Sequence, residues 1–154
     1  MTYEEYKKNR QEEINNLPIF YAFSNSQFEK EMNKRGLSSK DTDKIYKLGS
    51  TGGFYLKSDA EVIKEYFSKP DPIIELMKDF DFAVSAFYHE MANHEYHINS
   101  YQGDWDVCSV FCYCEWGGEK TYEEYLLEGG YSEDVVKAFE TAKKKFLSDV
   151  EKNG

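Results

Sequence analysis

The chain has 154 residues, 40% hydrophobic and 17% aromatic, with 31% charged residues and a net charge of -10. That apolar content is enough to close a core and too high for a disordered chain. No apolar run approaches the ~20 residues of a membrane span, and the charged opening "MTYEEYKKNRQEE" is unlike a secretory signal, so a cytoplasmic location is expected.

Charge is unevenly spread. Between Asp71 and Asp134 there are fifteen acids against two bases, Lys78 and Lys120, a net of -13; the remaining residues carry fourteen acids and seventeen bases, a net of +3. An acidic middle repels nucleic acid and attracts basic protein surfaces or cations. Direct nucleic-acid binding would need Lys7, Lys8 and Arg10 to converge with Lys143, Lys144 and Lys145. The plainest reading of the acids is a solvated, solubilising surface.

In chain order, residues 2–16 predict a charged helix, stopped by Leu17-Pro18. "IFYAF" (19–23) suits a strand or a buried connector. Ser26-x-x-Glu29 forms a capping box and opens a helix that stops at Gly36. "KIYKL" (44–48) and "FYLK" (54–57) flank "GSTGG" and predict a small β-hairpin. That glycine-rich loop lacks the Gly-Lys-Ser/Thr ending of a phosphate-binding loop. Ser58-x-x-Glu61 is a second capping box, starting a helix to Ser68. "KPDPIIE" breaks it, with Asp71 as cap and Pro72 in the first helical position.

From there a long helix is predicted to Ile98, burying Phe80, Val84, Phe87, Met91 and Ile98. Asp104 is read as the cap of "WDVCSVFCYCEW" (105–116), whose composition suits helix and strand alike. Thr121-x-x-Glu124 is a third capping box. Ser132 opens a last helix with the stripe Val135, Val136, Phe139, Ala142, Phe146, Leu147 and Val150. The expected fold is α+β and predominantly α-helical, a single domain over 1–154 with about six helices and a small β-hairpin.

All three histidines lie in "YHEMANHEYHIN" (88–99). A zinc-protease helix needs two histidines four residues apart on one face. His89 and His94 are five apart and point about 140° from one another at ~100° per residue, which rejects that reading. Glu90, His94 and His97 fall within about 60°, on the shoulder of the expected stripe. They suit a hydrogen-bonded ridge, an acid–base pair, or a metal site completed by Asp104 or Asp106. The cysteines, Cys108, Cys112 and Cys114, are spaced C-x3-C-x-C with no second pair. Zinc there would need His94 or His97, and buried thiols fit the apolar setting better than a nucleophile. No nucleophile elbow, Walker loop or dinucleotide fingerprint is present.

"YAFSNSQFEKEMNKRGL", "GGFYLKSDA" and "MANHEY" resemble segments of small uncharacterised acidic proteins of bacteriophages and mobile elements of Gram-positive bacteria, over residues 19–99. The resemblance transfers no functional residue. It implies a context of accessory factors that bind and block host machinery, defence nucleases included.

The expected function is a non-enzymatic binding protein without cofactor. Its acidic surface, represented by Glu90, His94, His97, Asp104, Asp106, Glu115, Glu119, Glu123 and Glu124, would bind a host protein with a basic, nucleic-acid-binding surface, carboxylates standing in for phosphates. The alternative is a small metal-binding domain or metal-dependent enzyme using Glu90, His94 and His97.

Overall fold

The computed structural model describes residues 1–96, 101–112 and 120–153. Their elements are α1 (Tyr3–Asn15), β1 (Phe20–Tyr21), α2 (Asn25–Lys34), β2 (Ile45–Leu48), β3 (Gly53–Leu56), α3 (Ala60–Ser68), α4 (Ile73–Leu76), α5 (Phe80–Asn93), α6 (Tyr101–Cys108), α7 (Tyr122–Glu128) and α8 (Glu133–Asn153), with short 3-10 turns at Thr42–Lys44 and Lys57–Asp59. The class is α+β and predominantly helical. Backbone packing groups the chain into two compact units, one of Lys7–Pro70 and one of Met1–Tyr6 with Asp71–Gly154. Charge divides along the same line. The first holds twelve bases and nine acids, a net of +3; the second holds seven bases and twenty acids, a net of -13.

In the unit of residues 7–70 the predicted hairpin forms: β2 and β3 pair antiparallel, and β1 joins as a third strand in the order β1-β3-β2. Side chains alternate across the sheet. Phe20, Ile45, Phe54 and Leu56 face α2, where Phe20, Met32 and Ile45 are buried among Phe28, Leu37, Phe54 and Leu56. The capping box of α2 lies two residues before the predicted one. Ser24 accepts from Gln27 N–H at 3.2 Å, and the Gln27 side chain accepts from Phe23 N–H at 2.8 Å. The helix stops where predicted: Gly36 adopts φ +74, and Leu37 N–H returns to Met32 O at 3.0 Å. Ser58 is likewise not a cap, because Lys57–Asp59 turn as a 3-10 helix before α3 begins.

In the other unit the expected long helix from 71 to 98 is broken. Asp71 accepts from Ile73 N–H at 2.9 Å and starts α4. Asp79 then takes an extended backbone and accepts from Phe82 N–H at 2.9 Å, opening α5. An Asp cap that satisfies an orphan N–H outweighs continuity of the apolar period. The buried face shifts as a result, to Phe82, Ala83, Ala86, Phe87, Glu90 and Met91, while Phe80 is 44% exposed. Ile98 lies outside the described residues.

Helix α8 packs along α5, with Phe87 edge-on to Phe139 at 5.2 Å and to Phe111 at 5.0 Å. Its predicted stripe holds as far as the half-buried Phe146; Leu147 and Val150 are exposed. Asp104 sits inside α6 rather than capping it, since that helix begins at Tyr101. Residues 101–108 of the ambiguous segment's neighbourhood are therefore helical, and 113–116 lie outside the described residues. Thr121 caps α7 as predicted, accepting from Glu124 N–H at 3.2 Å.

Candidate functional site

Glu90 is the one buried charged residue among those described, at 1% exposure. Its position on α5 puts it at the centre of the shifted apolar face, which corrects the shoulder placement drawn from the sequence. A buried carboxylate needs donors. Tyr3, from the first turn of α1, donates its hydroxyl to Glu90 Oε1 at 2.6 Å, and His94 Nε2 lies 3.2 Å from Oε2. His94 is the C-cap of α5, and its side chain keeps 37% exposure. Glu95 follows in the left-handed region at φ 49, which lets Tyr96 N–H return to Met91 O at 2.9 Å. Two members of the predicted triplet thus meet, one in the core and one at its rim. His97 lies outside the described residues.

His89 points elsewhere, as the angles required. Its Nδ1 is 3.7 Å from Glu4 Oε1, and its ring stands edge-on to Tyr3 at 5.4 Å.

The pairing of Tyr3 with Glu90 recurs across this unit. Tyr6 donates to Asp71 at 2.7 Å, Tyr88 to Asp149 at 2.6 Å, Tyr122 to Glu140 at 3.0 Å, and Tyr96 to Asp104. Each joins residues from different elements or across a connection, and each uses an acid that composition alone assigns to the surface. Burial, then the hydrogen bond to the carboxylate, raises the hydroxyl pKa of Tyr3, Tyr96 and Tyr122, the last to about 12; at Tyr88 the bond to Asp149 comes first. A neutral hydroxyl donates to a carboxylate, whereas a phenolate would repel it.

The sign for stability follows. These hydroxyls ionise less readily folded than unfolded, so their contribution is complete below the ordinary value of 10.0 and is lost as pH rises, for Tyr122 through about 12. Alkaline titration followed by phenolate absorbance and circular dichroism is expected to show unfolding above pH 10 that releases several tyrosines together. Tyrosines that titrate independently near 10.0 in a folded chain would contradict the pairing.

The remaining predicted site residues scatter. Asp106 accepts from Gln102 at 2.7 Å on the outer side of α6. Glu123 and Glu124 are exposed on the first turn of α7. Glu115, Glu119 and Cys114 lie outside the described residues. Cys108 and Cys112 are buried, and burial pushes the Cys108 thiol well above its usual range, which suits packing rather than nucleophilic attack. Among the described residues no group of three or more His, Cys, Asp and Glu is arranged to hold a metal ion.

The features that sequence reasoning missed are the tyrosines. The available signal was their number, thirteen, beside 29 acids.

An acidic, mostly helical chain stapled by tyrosine–carboxylate pairs is the class that fold and site define. The profile of a family of unknown function, DUF7659, matches residues 2–105, and the chain belongs to that family. The matched stretch contains Tyr3, Glu90, His94, Tyr96 and Asp104. No curated protein and no solved structure matches the chain.

Proposed function

We propose that the chain is a non-enzymatic binding protein whose acidic unit docks on a basic, nucleic-acid-binding surface of another protein. The observation that supports this is the concentration of a net -13 in Met1–Tyr6 with Asp71–Gly154. Five acids of this unit are engaged by tyrosines: Asp71, Glu90, Asp104, Glu140 and Asp149. The exposed Glu123, Glu124, Glu133 and Asp134 are the carboxylates this reading offers to a partner. The resemblance to acidic phage and mobile-element proteins suggests the form that function takes, an accessory factor that blocks a host protein such as a defence nuclease.

The test is affinity of the co-purifying partner against salt. Binding is expected to weaken steadily from ~0.05 to ~0.5 M salt as exposed charges are screened. The double reversal Glu123→Lys with Glu124→Lys is expected to slow association about tenfold. Salt-independent affinity removes the reading. The alternative of a metal centre at Glu90, His94 and His97 rests on the 3.2 Å approach of His94 to Glu90. Bound metal in elemental analysis of the same preparation would favour it.

A further inference from the structure

We infer that the unit of residues 7–70 carries a binding site for a small organic anion with a flat apolar body, in the cavity between the start of α2 and the sheet. The cavity measures about 410 Å³, within the range of small-molecule pockets. Its apolar lining includes Phe28, Ile45 and Phe54, with the rings of Phe28 and Phe54 tilted at 5.2 Å.

Phe23 forms a wall and is 76% exposed. Leaving a phenylalanine in water forgoes burial of a large apolar area. The ring is nevertheless held in place. Phe23 N–H is bound by Gln27, the ring stacks on Tyr21 at 6.5 Å, and it lies against Gly52. A Cβ at Gly52 would sit 2.5 Å from Phe23 Cε1, and the backbone there has φ +80. Glycine answers both constraints. The result is an aromatic wall fixed beside an apolar hollow.

The charge of the ligand follows from Lys47. Strand alternation puts Lys47 on the side of Ile45, and its register partner is Phe54. A lysine therefore stands on the face of the sheet that otherwise builds core, at the lip of the cavity. Lys47 has no ion pair or side-chain hydrogen bond among the described residues. Several surface lysines of the chain are likewise unpaired there, so it is the place of Lys47 on the core-building face, and not its being unpaired, that sets it apart. An ammonium without a carboxylate, next to apolar rings, matches a ligand whose body is covered by Phe23, Phe28 and Phe54 and whose anionic group meets Lys47. The net +3 of this unit has the sign that an anion requires.

The probe is anilinonaphthalene sulfonate, titrated by fluorescence into the full chain beside its neutral counterpart phenylnaphthylamine. Saturable one-to-one binding of the anion is expected. Lys47→Gln should weaken the anion about tenfold, the loss of one charged contact, and leave the neutral dye unchanged. Ala22→Trp, which fills the cavity from its lining, should abolish both. Amide shifts during the anion titration should move in residues 22–28 and 45–54. Circular dichroism checks each variant; should Ala22→Trp unfold, the two-dye comparison on Lys47→Gln decides by itself. No saturable binding, an anion affinity indifferent to Lys47→Gln, or amide shifts confined elsewhere would overturn the assignment.

Discussion

Glu90→Ala is expected to destabilise the acidic unit by roughly 2–4 kcal/mol, the cost of a buried hydroxyl left unsatisfied together with the cavity left behind. The side chain is 1% exposed, and the Tyr3 hydroxyl it accepts belongs to a residue that is 2% exposed. Alanine leaves that hydroxyl without the carboxylate, and leaves a void at the centre of the α5 face. Glu90→Gln keeps the volume and an acceptor, and should cost less, about 1–2 kcal/mol. Removing both polar partners in Tyr3→Phe with Glu90→Leu should recover most of the loss, because a buried pair is dearer to break than to replace. Urea unfolding followed by tryptophan fluorescence measures this, since Trp105 lies on α6 of the acidic unit. A cost for Glu90→Ala below ~0.5 kcal/mol, the range of surface substitutions, would show that Glu90 is not a core residue.

Phe139→Ala is expected to cost roughly 3–5 kcal/mol, through lost burial and the cavity left behind. Phe139 is wholly buried, and its ring meets Tyr122 at 4.6 Å, Phe87 at 5.2 Å and Tyr96 at 6.5 Å. Two of those neighbours carry tyrosine–carboxylate staples, so the substitution should also bring the alkaline transition to lower pH. Phe80→Ala is the matched comparison. Periodicity puts Phe80 in the same core, yet it is 44% exposed, and its loss should stay within about 1 kcal/mol. Equal costs at the two positions would contradict the register of α5.

The difference between Phe80 and Phe139 marks where sequence reasoning succeeded. The α8 stripe was legible as far as Phe146 because a long helix with one apolar face has a single way to bury it. The α5 stripe was right at Phe87 and Met91, with Val84 packed against the core, and wrong at Phe80, because the apolar period runs across Asp79 without a break in pattern. Whether that aspartate continues a helix or caps a new one depends on its carboxylate capturing Phe82 N–H. Similarly, the sequence pattern points to Ser26-x-x-Glu29, and the cap forms two residues earlier. Ser24 is the cap because Gln27 closes the box from the other side, binding Phe23 N–H.

Of the site, the angular argument correctly separated His89 from Glu90 and His94, since it used only helix geometry. It could not place Glu90 in the core. A charged residue is assigned to solvent unless a partner is known, and this partner is Tyr3, 87 residues away.

The sequence by itself determined the helical class, the hairpin, the α2 stop at Gly36, the Thr121 cap and the concentration of net negative charge in one stretch. These depend on local propensity, turn chemistry and composition, which act over a few residues or are simple sums. Only the tertiary structure decided which acids face solvent and which accept tyrosine hydroxyls. It also put Lys47 on the core face beside an exposed Phe23. The reason is the same in each case: the energy of a carboxylate or an ammonium is set by what stands within a few ångströms, and here those neighbours come from distant parts of the chain.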